Sequence, residues 1–268
     1  MEPTASGTRA IDLTIEIAAP ADAVWQALTV AEQLESWFPV NARVTPGVGG
    51  SIWVSWAGAA TYESRITIWE PSRHLQLTDQ PADPGAGQPV AVAQDFLIEG
   101  KGGSTVLRLV HSGFSADAQW DEMIDMMSSG WRYFLFNLRH YLEKHRGTHR
   151  RMVFTRRQVT DRSRTDAWPA ILRALGIDPA AGEGEPFALA LGDARFHGTV
   201  VQWKPPAHFA GTLDDLNDGL IFLELESDGP EWNAGFWIST YGIAPPRADQ
   251  LQANLDAVVA ELLPTLST

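Results

Sequence analysis

The sequence contains no cysteine among its 268 residues, and this absence removes several kinds of chemistry. Without a thiol, the chain can form no disulfide bond, no zinc site with thiolate ligands and no cysteine nucleophile. Long apolar runs are missing too: nowhere do about eighteen apolar residues follow one another, as a membrane-spanning helix requires. The first ten residues, MEPTASGTRA, lack the apolar segment of a signal peptide. We therefore expect a cytoplasmic protein without a membrane span.

Basic residues are scarce relative to acidic ones. Lysine and arginine number 20 against 33 aspartates and glutamates, which gives a net charge of -13 at pH 7. Nucleic acids and anionic membranes are polyanions and would repel such a chain. Basic residues do gather at positions 144–164, where Asp161 is the only acidic residue. We interpret that run as a solvated linker and strand, and expect no nucleic-acid partner.

Motifs of cofactor binding and catalysis are absent as well. The sequence has no HExxH helix, no EF-hand loop and no GxSxG elbow. The glycine clusters at 47–50 and 100–103 lack the ending of a phosphate-binding loop, so we interpret them as turns. His145 and His149 are four residues apart, but neighbouring arginines would repel a bound cation. We expect no metal site and no cofactor.

What the chain does contain is a long amphipathic segment, residues 115–146. Large residues recur there at steps of three and four, which predicts a helix of about eight turns capped by Ser115. The stripe consists of Trp120, Met123, Met127, Trp131, Phe134, Leu138, Tyr141 and His145. Such a stripe can be ordinary core. Because aromatic rings and thioethers dominate it, we favour the hypothesis that part of it roofs a cavity.

Strand patterns precede this helix. Apolar and polar residues alternate over residues 11–17, which predicts a strand with one buried face, and two short helices follow from Pro20 onward. Residues 80–88, rich in proline, glycine and alanine, predict a mobile loop. Further strand patterns occupy residues 51–57, 61–70, 73–78, 90–100 and 104–114. This order of elements predicts a curved antiparallel sheet closed over the long helix.

Five segments in this part of the chain resemble the START-like helix-grip superfamily, also called SRPBCC. They are APADAVWQALTVAEQLESWF, GGSIWVSW, ITIWEPSRHLQLT, STVLRLVHSGF and GWRYFLFNLRHYLE. The nearest branch is the one homologous to the activator of a heat-shock chaperone ATPase. The resemblance spans residues 11–146 and implies an α+β fold, in which a curved antiparallel sheet surrounds a long C-terminal helix above a deep apolar pocket. Members of the superfamily bind hydrophobic small molecules, and some catalyse cyclisation or hydration.

The second half of the chain repeats the plan in reduced form. A strand pattern, a helix pattern around Trp168, five more strand patterns and a final helix pattern follow one another after residue 150. A repeat spacing above about one hundred residues indicates domain duplication. We predict a disordered N-terminus at 1–10, a START-like domain with an apolar pocket at 11–147 and a second, shorter and divergent START-like domain at 148–268. A single domain with a long extension is the alternative.

The predicted pocket lies in the first domain. Strand alternation places polar Gln94 and His111 on the same side as the helix stripe, and Trp69 on the opposite face. Trp37 could gate the mouth. Apolar walls with few polar groups are the general form of a small-molecule site. The candidate ligand-binding residues are Trp37, Trp56, Tyr62, Gln94, Phe96, Leu109, His111, Trp120, Met123, Met127, Trp131 and Phe134.

Three functions are compatible with such a pocket. We favour the binding of a hydrophobic small molecule over catalysis. The first alternative is a cyclase or hydratase that uses His111 with a tyrosine or a carboxylate in the pocket. His111 is a weak catalytic candidate, since a structural histidine beside the turn at Ser112 and Gly113 explains it better. The second is a co-chaperone-like interaction module with filled cavities. The sequence leaves open whether the protein forms a homodimer or binds a protein partner.

Overall fold

The computed structural model describes residues 8–57, 60–79, 92–160, 162–226 and 231–263, apart from the side chain of Gln119. The chain divides into two compact units, Met1–Gly147 and Thr148–Thr268. Each unit consists of one antiparallel sheet and its helices. The loop predicted at residues 80–88 lies outside the described residues.

The first unit is built on a sheet that has seven strands in the described part of the chain. They are β1 (Thr8–Ile17), β2 (Asn41–Thr45), β3 (Ser51–Ser55), β4 (Thr61–Glu70), β5 (His74–Thr78), β6 (Ala93–Lys101) and β7 (Ser104–Ser115). Their antiparallel order is β1-β7-β6-β5-β4-β3-β2. The helices are α1 (Ala21–Thr29), α2 (Ala31–Leu34) and α3 (Asp121–His140). Since β1 begins at Thr8, residues 8–10 are strand, and the prediction of disorder there was wrong.

The long helix begins later than its sequence predicts. Ser115 is the last residue of β7, and its hydroxyl accepts a hydrogen bond of 3.1 Å from the backbone N–H of Asp117. Ser115 therefore closes a turn instead of capping the helix. A short 3₁₀ turn, Ala118–Trp120, separates the strand from α3. At the other end, α3 continues into a π-helical turn, Tyr141–His145.

The helices cover one face of the sheet, and two hydrogen bonds fix the segment between α2 and β2. The indole of Trp37 donates to the carbonyl of Ala27 at 2.8 Å. Asn137, fully buried in α3, donates from Nδ2 to the carbonyl of Trp37 at 2.5 Å. A buried amide needs such a partner, so this bond ties α3 to the segment that contains Trp37. The sheet curls around α3, as in a helix-grip fold.

A β-bulge in β4 changes which side chains face inward. It lies between Ile66 and Ile68 and shifts the register against β5. Beyond the bulge, Trp69 pairs with Leu75, which is buried on the inner face. Because directly opposed residues point to the same face, Trp69 faces the helices, and its ring centroid lies 4.9 Å from that of Trp25 in α1. The prediction that Trp69 lies on the outer face was wrong.

The second unit repeats the architecture with fewer elements. Its described strands are β8 (Arg150–Val159), β9 (Pro186–Leu191), β10 (Ala194–Lys204), β11 (His208–Leu213), β12 (Gly219–Glu226) and β13 (Trp232–Tyr241), and its helices are α4 (Arg164–Ala174) and α5 (Pro245–Leu262). The antiparallel order is β8-β13-β12-β11-β10-β9. Residues of α4, α5 and the sheet, among them Trp168, Leu223 and Leu255, form one apolar core. The chain is thus α+β with two tandem helix-grip copies, the second reduced.

Candidate functional site

A cavity of about 320 Å³ lies between α3 and the inner face of the first unit's sheet. Aromatic and aliphatic side chains make up most of its wall, with a small group of polar side chains among them. The lining residues are Phe38, Ile52, Val54, Trp56, Tyr62, Ser64, Leu77, Asp79, Gln94, His111, Met127, Gly130, Trp131 and Phe134. This combination of apolar walls and few polar groups is the usual composition of a small-molecule site.

Seven of the twelve candidate residues line this cavity: Trp56, Tyr62, Gln94, His111, Met127, Trp131 and Phe134. The other five lie elsewhere. Trp37 and Phe96 line a much smaller adjoining cavity of about 30 Å³. Leu109 and Trp120 are buried, and Met123 is 38% exposed. With only 1% of its surface exposed, Trp37 belongs to the core and does not lie at a cavity mouth.

Phe38 is a cavity residue that sequence reasoning missed. Its ring centroid lies 4.7 Å from that of Phe134, 5.1 Å from that of Trp56 and 5.6 Å from that of Trp131. It also lines both the main cavity and the small one. The only signal was its place next to Trp37 after the second short helix. Which of two adjacent aromatic residues faces a cavity depends on the turn that follows α2, and the sequence does not specify it.

The polar side chains of the cavity, Ser64, Asp79, Gln94 and His111, form a polar strip in which hydrogen bonds join the first three. Gln94 pairs with Leu77 on one side and with His111 on the other, so these three side chains share the inner face. The Nε2 of Gln94 donates to Oδ2 of Asp79 at 3.3 Å. The hydroxyl of Ser64 donates to the other oxygen of that carboxylate. Only Gln94 and His111 of this strip were candidates from the sequence; Ser64 lies on the inner face of β4 but was not named, and Asp79 follows the end of β5.

His111 carries a hydrogen-bonding atom that no described residue satisfies. The residue is 4% exposed, and its Nδ1 accepts a hydrogen bond of 3.0 Å from Nε1 of Trp131. Since a neutral imidazole has one protonated nitrogen, the proton resides on Nε2. Among the described residues, Nε2 has no partner. Burial lowers the pKa of His111 to about 4, so the ring is uncharged at neutral pH.

This state of His111 suits a hydrogen-bond donor better than a general base. A general base works best when its pKa lies near the working pH and its lone pair is free. The pKa of about 4 is too low for that, and the lone pair accepts from Trp131.

No cluster of metal-binding side chains occurs in the described ranges. No described helix is both long and apolar enough to cross a membrane.

The sheet that curls around α3 and the cavity between them define a START-like helix-grip protein. Residues 18–143 match the family described as "Activator of Hsp90 ATPase homolog 1-like protein". This match lies entirely within the first unit and supports the similarity of that unit to Aha1-like proteins of the SRPBCC superfamily. No curated protein matches the sequence.

Several solved structures are similar to the chain at low identity. A protein from Mesorhizobium loti, MLL2253, is 22% identical over 51% of this chain and 98% of that chain, with a TM-score of 0.46. DynU16, a protein in the dynemicin biosynthetic locus, is 16% identical over 95% of this chain and 96% of its own, with a TM-score of 0.42. BexL, the di-domain ARO/CYC from the BE-7585A biosynthetic pathway, is 16% identical over 95% and 97%, with a TM-score of 0.45.

Proposed function

We propose that the first unit binds a hydrophobic small molecule in the cavity beneath α3. The observation that carries this proposal is the apolar space of about 320 Å³, which no described side chain fills. Ligand pockets typically measure about 300–1,000 Å³, so this one suits a compact ligand of two or three rings. Burying about 200 Å² of apolar ligand surface would contribute roughly 5 kcal/mol before the loss of freedom on binding is subtracted.

The wall favours an aromatic ligand among apolar ones. Four aromatic residues, Phe38, Trp56, Trp131 and Phe134, line the cavity, and the ring of Phe38 packs against the other three. An aromatic ligand packed against such rings gains about 0.5–1.5 kcal/mol per pair beyond the area it buries. Met127 adds an adaptable thioether, which tolerates ligands of slightly different outline.

The alternatives receive less support from the geometry. A cyclase or hydratase needs a group that transfers protons near neutral pH, and His111, with a pKa of about 4 and Nδ1 engaged by Trp131, suits that task poorly. An interaction module with filled cavities would leave no space beneath α3, where about 320 Å³ is open. Binding without chemistry is therefore the function we propose.

A pair of methionines on α3 gives a matched test. Met127 lines the cavity, whereas Met123, one helical turn away, is 38% exposed and does not line it. Titration with the neutral fluorescent probe N-phenyl-1-naphthylamine should give saturable binding to the wild type. Met127→Arg should weaken it at least about tenfold, because a charge would have to be desolvated beside the ligand. Met123→Arg should leave it unchanged. Equal affinity of a folded Met127→Arg variant would overturn the proposal.

A further inference from the structure

The polar strip of the cavity indicates which apolar molecules the cavity selects. This inference rests on the function proposed above. We propose that the cavity prefers neutral, ring-containing molecules that bear a hydrogen-bond acceptor, such as an aryl ketone, whose oxygen accepts the Nε2–H of His111. The apolar wall supplies affinity, and this one bond sets the orientation of the ligand in the cavity.

The first step of the inference is that Trp131 fixes the proton position on His111. An indole nitrogen can only donate, so the imidazole nitrogen that faces it has to accept. The Nε1–Nδ1 distance of 3.0 Å is that of an ordinary hydrogen bond. Trp131 is itself held between rings, 5.6 Å from Phe38 and 5.9 Å from Phe96 by centroid. The donor Nε2–H is therefore preorganised before any ligand arrives.

The second step is that this donor lacks a partner. Buried donors in native proteins are nearly always satisfied, and an exception calls for an explanation. The neighbouring amide of Gln94 does not provide one, because its nitrogen is committed to Asp79 and no bond joins it to His111. His111 lines the cavity and its other nitrogen is occupied, so an acceptor atom on a bound ligand would satisfy the buried Nε2 once the side chains that cover this atom move aside.

The third step concerns charge. The carboxylate of Asp79 lines the cavity, and neither lysine nor arginine occurs in the described lining. A carboxylate ligand would lose its hydration without gaining a cation, which is unfavourable in an apolar site. His111 is a poor cation for such a ligand, because burial lowers its pKa to about 4 and so disfavours the charged ring. A neutral acceptor such as a carbonyl oxygen fits this environment, whereas an anionic one does not.

Three tricyclic probes separate these requirements. Fluorene and 9-fluorenone have nearly the same outline and differ by one carbonyl group, and fluorene-9-carboxylate adds a charge. We expect tryptophan quenching at pH 7.5 to show wild-type binding of fluorenone about three- to tenfold tighter than that of fluorene, the range of one net hydrogen bond. Fluorene-9-carboxylate should bind at least about tenfold more weakly than fluorene. His111→Phe keeps a ring but removes the donor, so its fluorenone preference should disappear.

The infrared carbonyl stretch of fluorenone gives a second readout on the unaltered protein. A hydrogen bond from Nε2 shifts this stretch below its position in a hydrocarbon solvent. If fluorenone and fluorene bind with equal affinity and the stretch stays at the hydrocarbon position, the anchoring role of His111 is overturned while apolar binding stands. Equal or tighter binding of the carboxylate would overturn the preference for neutral ligands. If none of the three binds, the proposed function itself fails.

Discussion

Trp131 of α3 donates a hydrogen bond from Nε1 to Nδ1 of His111 in β7, at 3.0 Å. Both residues are buried and line the cavity, and their bond joins the middle of α3 to the inner face of the sheet. The bond has two consequences. It fixes the height of α3 above the sheet at this point, and it determines which nitrogen of His111 remains for a ligand.

The Trp131–His111 bond should appear as an energetic coupling. Trp131→Phe leaves Nδ1 of His111 unpaired, and His111→Leu leaves the indole N–H unpaired, so each single change should lower the free energy of unfolding by about 1–3 kcal/mol on polar grounds alone. The double variant removes both groups and should be less destabilised than the sum by about 1 kcal/mol. Urea unfolding of the four proteins checks this prediction. Strict additivity would mean that the bond contributes nothing.

The lowered pKa of His111 predicts how the free energy of unfolding depends on pH. The ordinary value is 6.5 and the folded value about 4, so between these limits the unfolded chain binds a proton that the folded chain does not. The free energy of unfolding should therefore fall as the pH drops from about 6.5 to 4, by roughly 3 kcal/mol at most. Comparing the unfolding of wild type and His111→Phe at pH 7 and pH 4.5 isolates this contribution from that of the carboxylates. Parallel pH profiles would count against it.

Glu224 in the second unit should give a pH dependence of the opposite sign. The residue keeps some accessible surface, but its carboxyl accepts a 2.6 Å hydrogen bond from Nε1 of Trp237 and lies beside Glu226. Burial, and then the charge of Glu226, raise the pKa of Glu224 from 4.5 to about 8. The folded chain thus holds a proton that the unfolded chain releases, and stability should decrease as the pH rises from about 4.5 to 8.

Glu224→Gln tests this pKa directly. The amide oxygen can still accept from Trp237, but the group no longer titrates. We expect the variant to lose part of the decline in unfolding free energy between pH 5 and pH 8, and to be more stable than the wild type at pH 8. Chemical unfolding at both pH values measures the difference. An unchanged pH slope would show that Glu224 ionises normally in the folded protein.

Phe38 should control the size of ligand that the first unit accepts. Its ring lines both the main cavity and the adjoining cavity of about 30 Å³. Phe38→Ala should join the two spaces, so the affinity for four-ring pyrene should rise relative to that for fluorene. Met123→Ala is the control, because Met123 is 38% exposed and does not line the cavity. An unchanged pyrene preference in Phe38→Ala would show that the ring does not limit the cavity.

The order of helices and strands could be predicted from the sequence, because the spacing of apolar residues reflects which side of each element is buried. Of the stripe on α3, the structure places Met127, Trp131 and Phe134 in the cavity lining, whereas Met123 is 38% exposed and does not line it. A period of 3.6 residues identifies one side of a helix, but not how many of its turns lie over the sheet. That length depends on where β7 ends and α3 begins.

The alternation of apolar and polar residues indicates which side chains face inward only where a strand is regular, and β4 contains a bulge. The alternation grouped Trp56, Tyr62, Gln94 and His111 on one face, and the structure places all four in the cavity lining. It failed for Trp69, because the bulge in β4 reverses the alternation, and the segment TYESRITIWE contains no glycine or proline that marks the irregularity. Phe38 and Asp79 lie outside the strands, so alternation does not place them; Ser64 shares the inner face of β4 with Tyr62 but was not named as a candidate.

Gly130 offers the most direct test of whether the space beneath α3 binds a ligand. It lines the cavity, and a Cβ built on it meets no described heavy atom within 4 Å, so a leucine at this position would occupy the cavity without a clash at its first carbon. Replacing a helical glycine by leucine also favours the helix by up to about 1 kcal/mol. We therefore predict that Gly130→Leu is at least as stable as the wild type and loses saturable binding of N-phenyl-1-naphthylamine. A stable Gly130→Leu variant with wild-type affinity would contradict binding in this cavity.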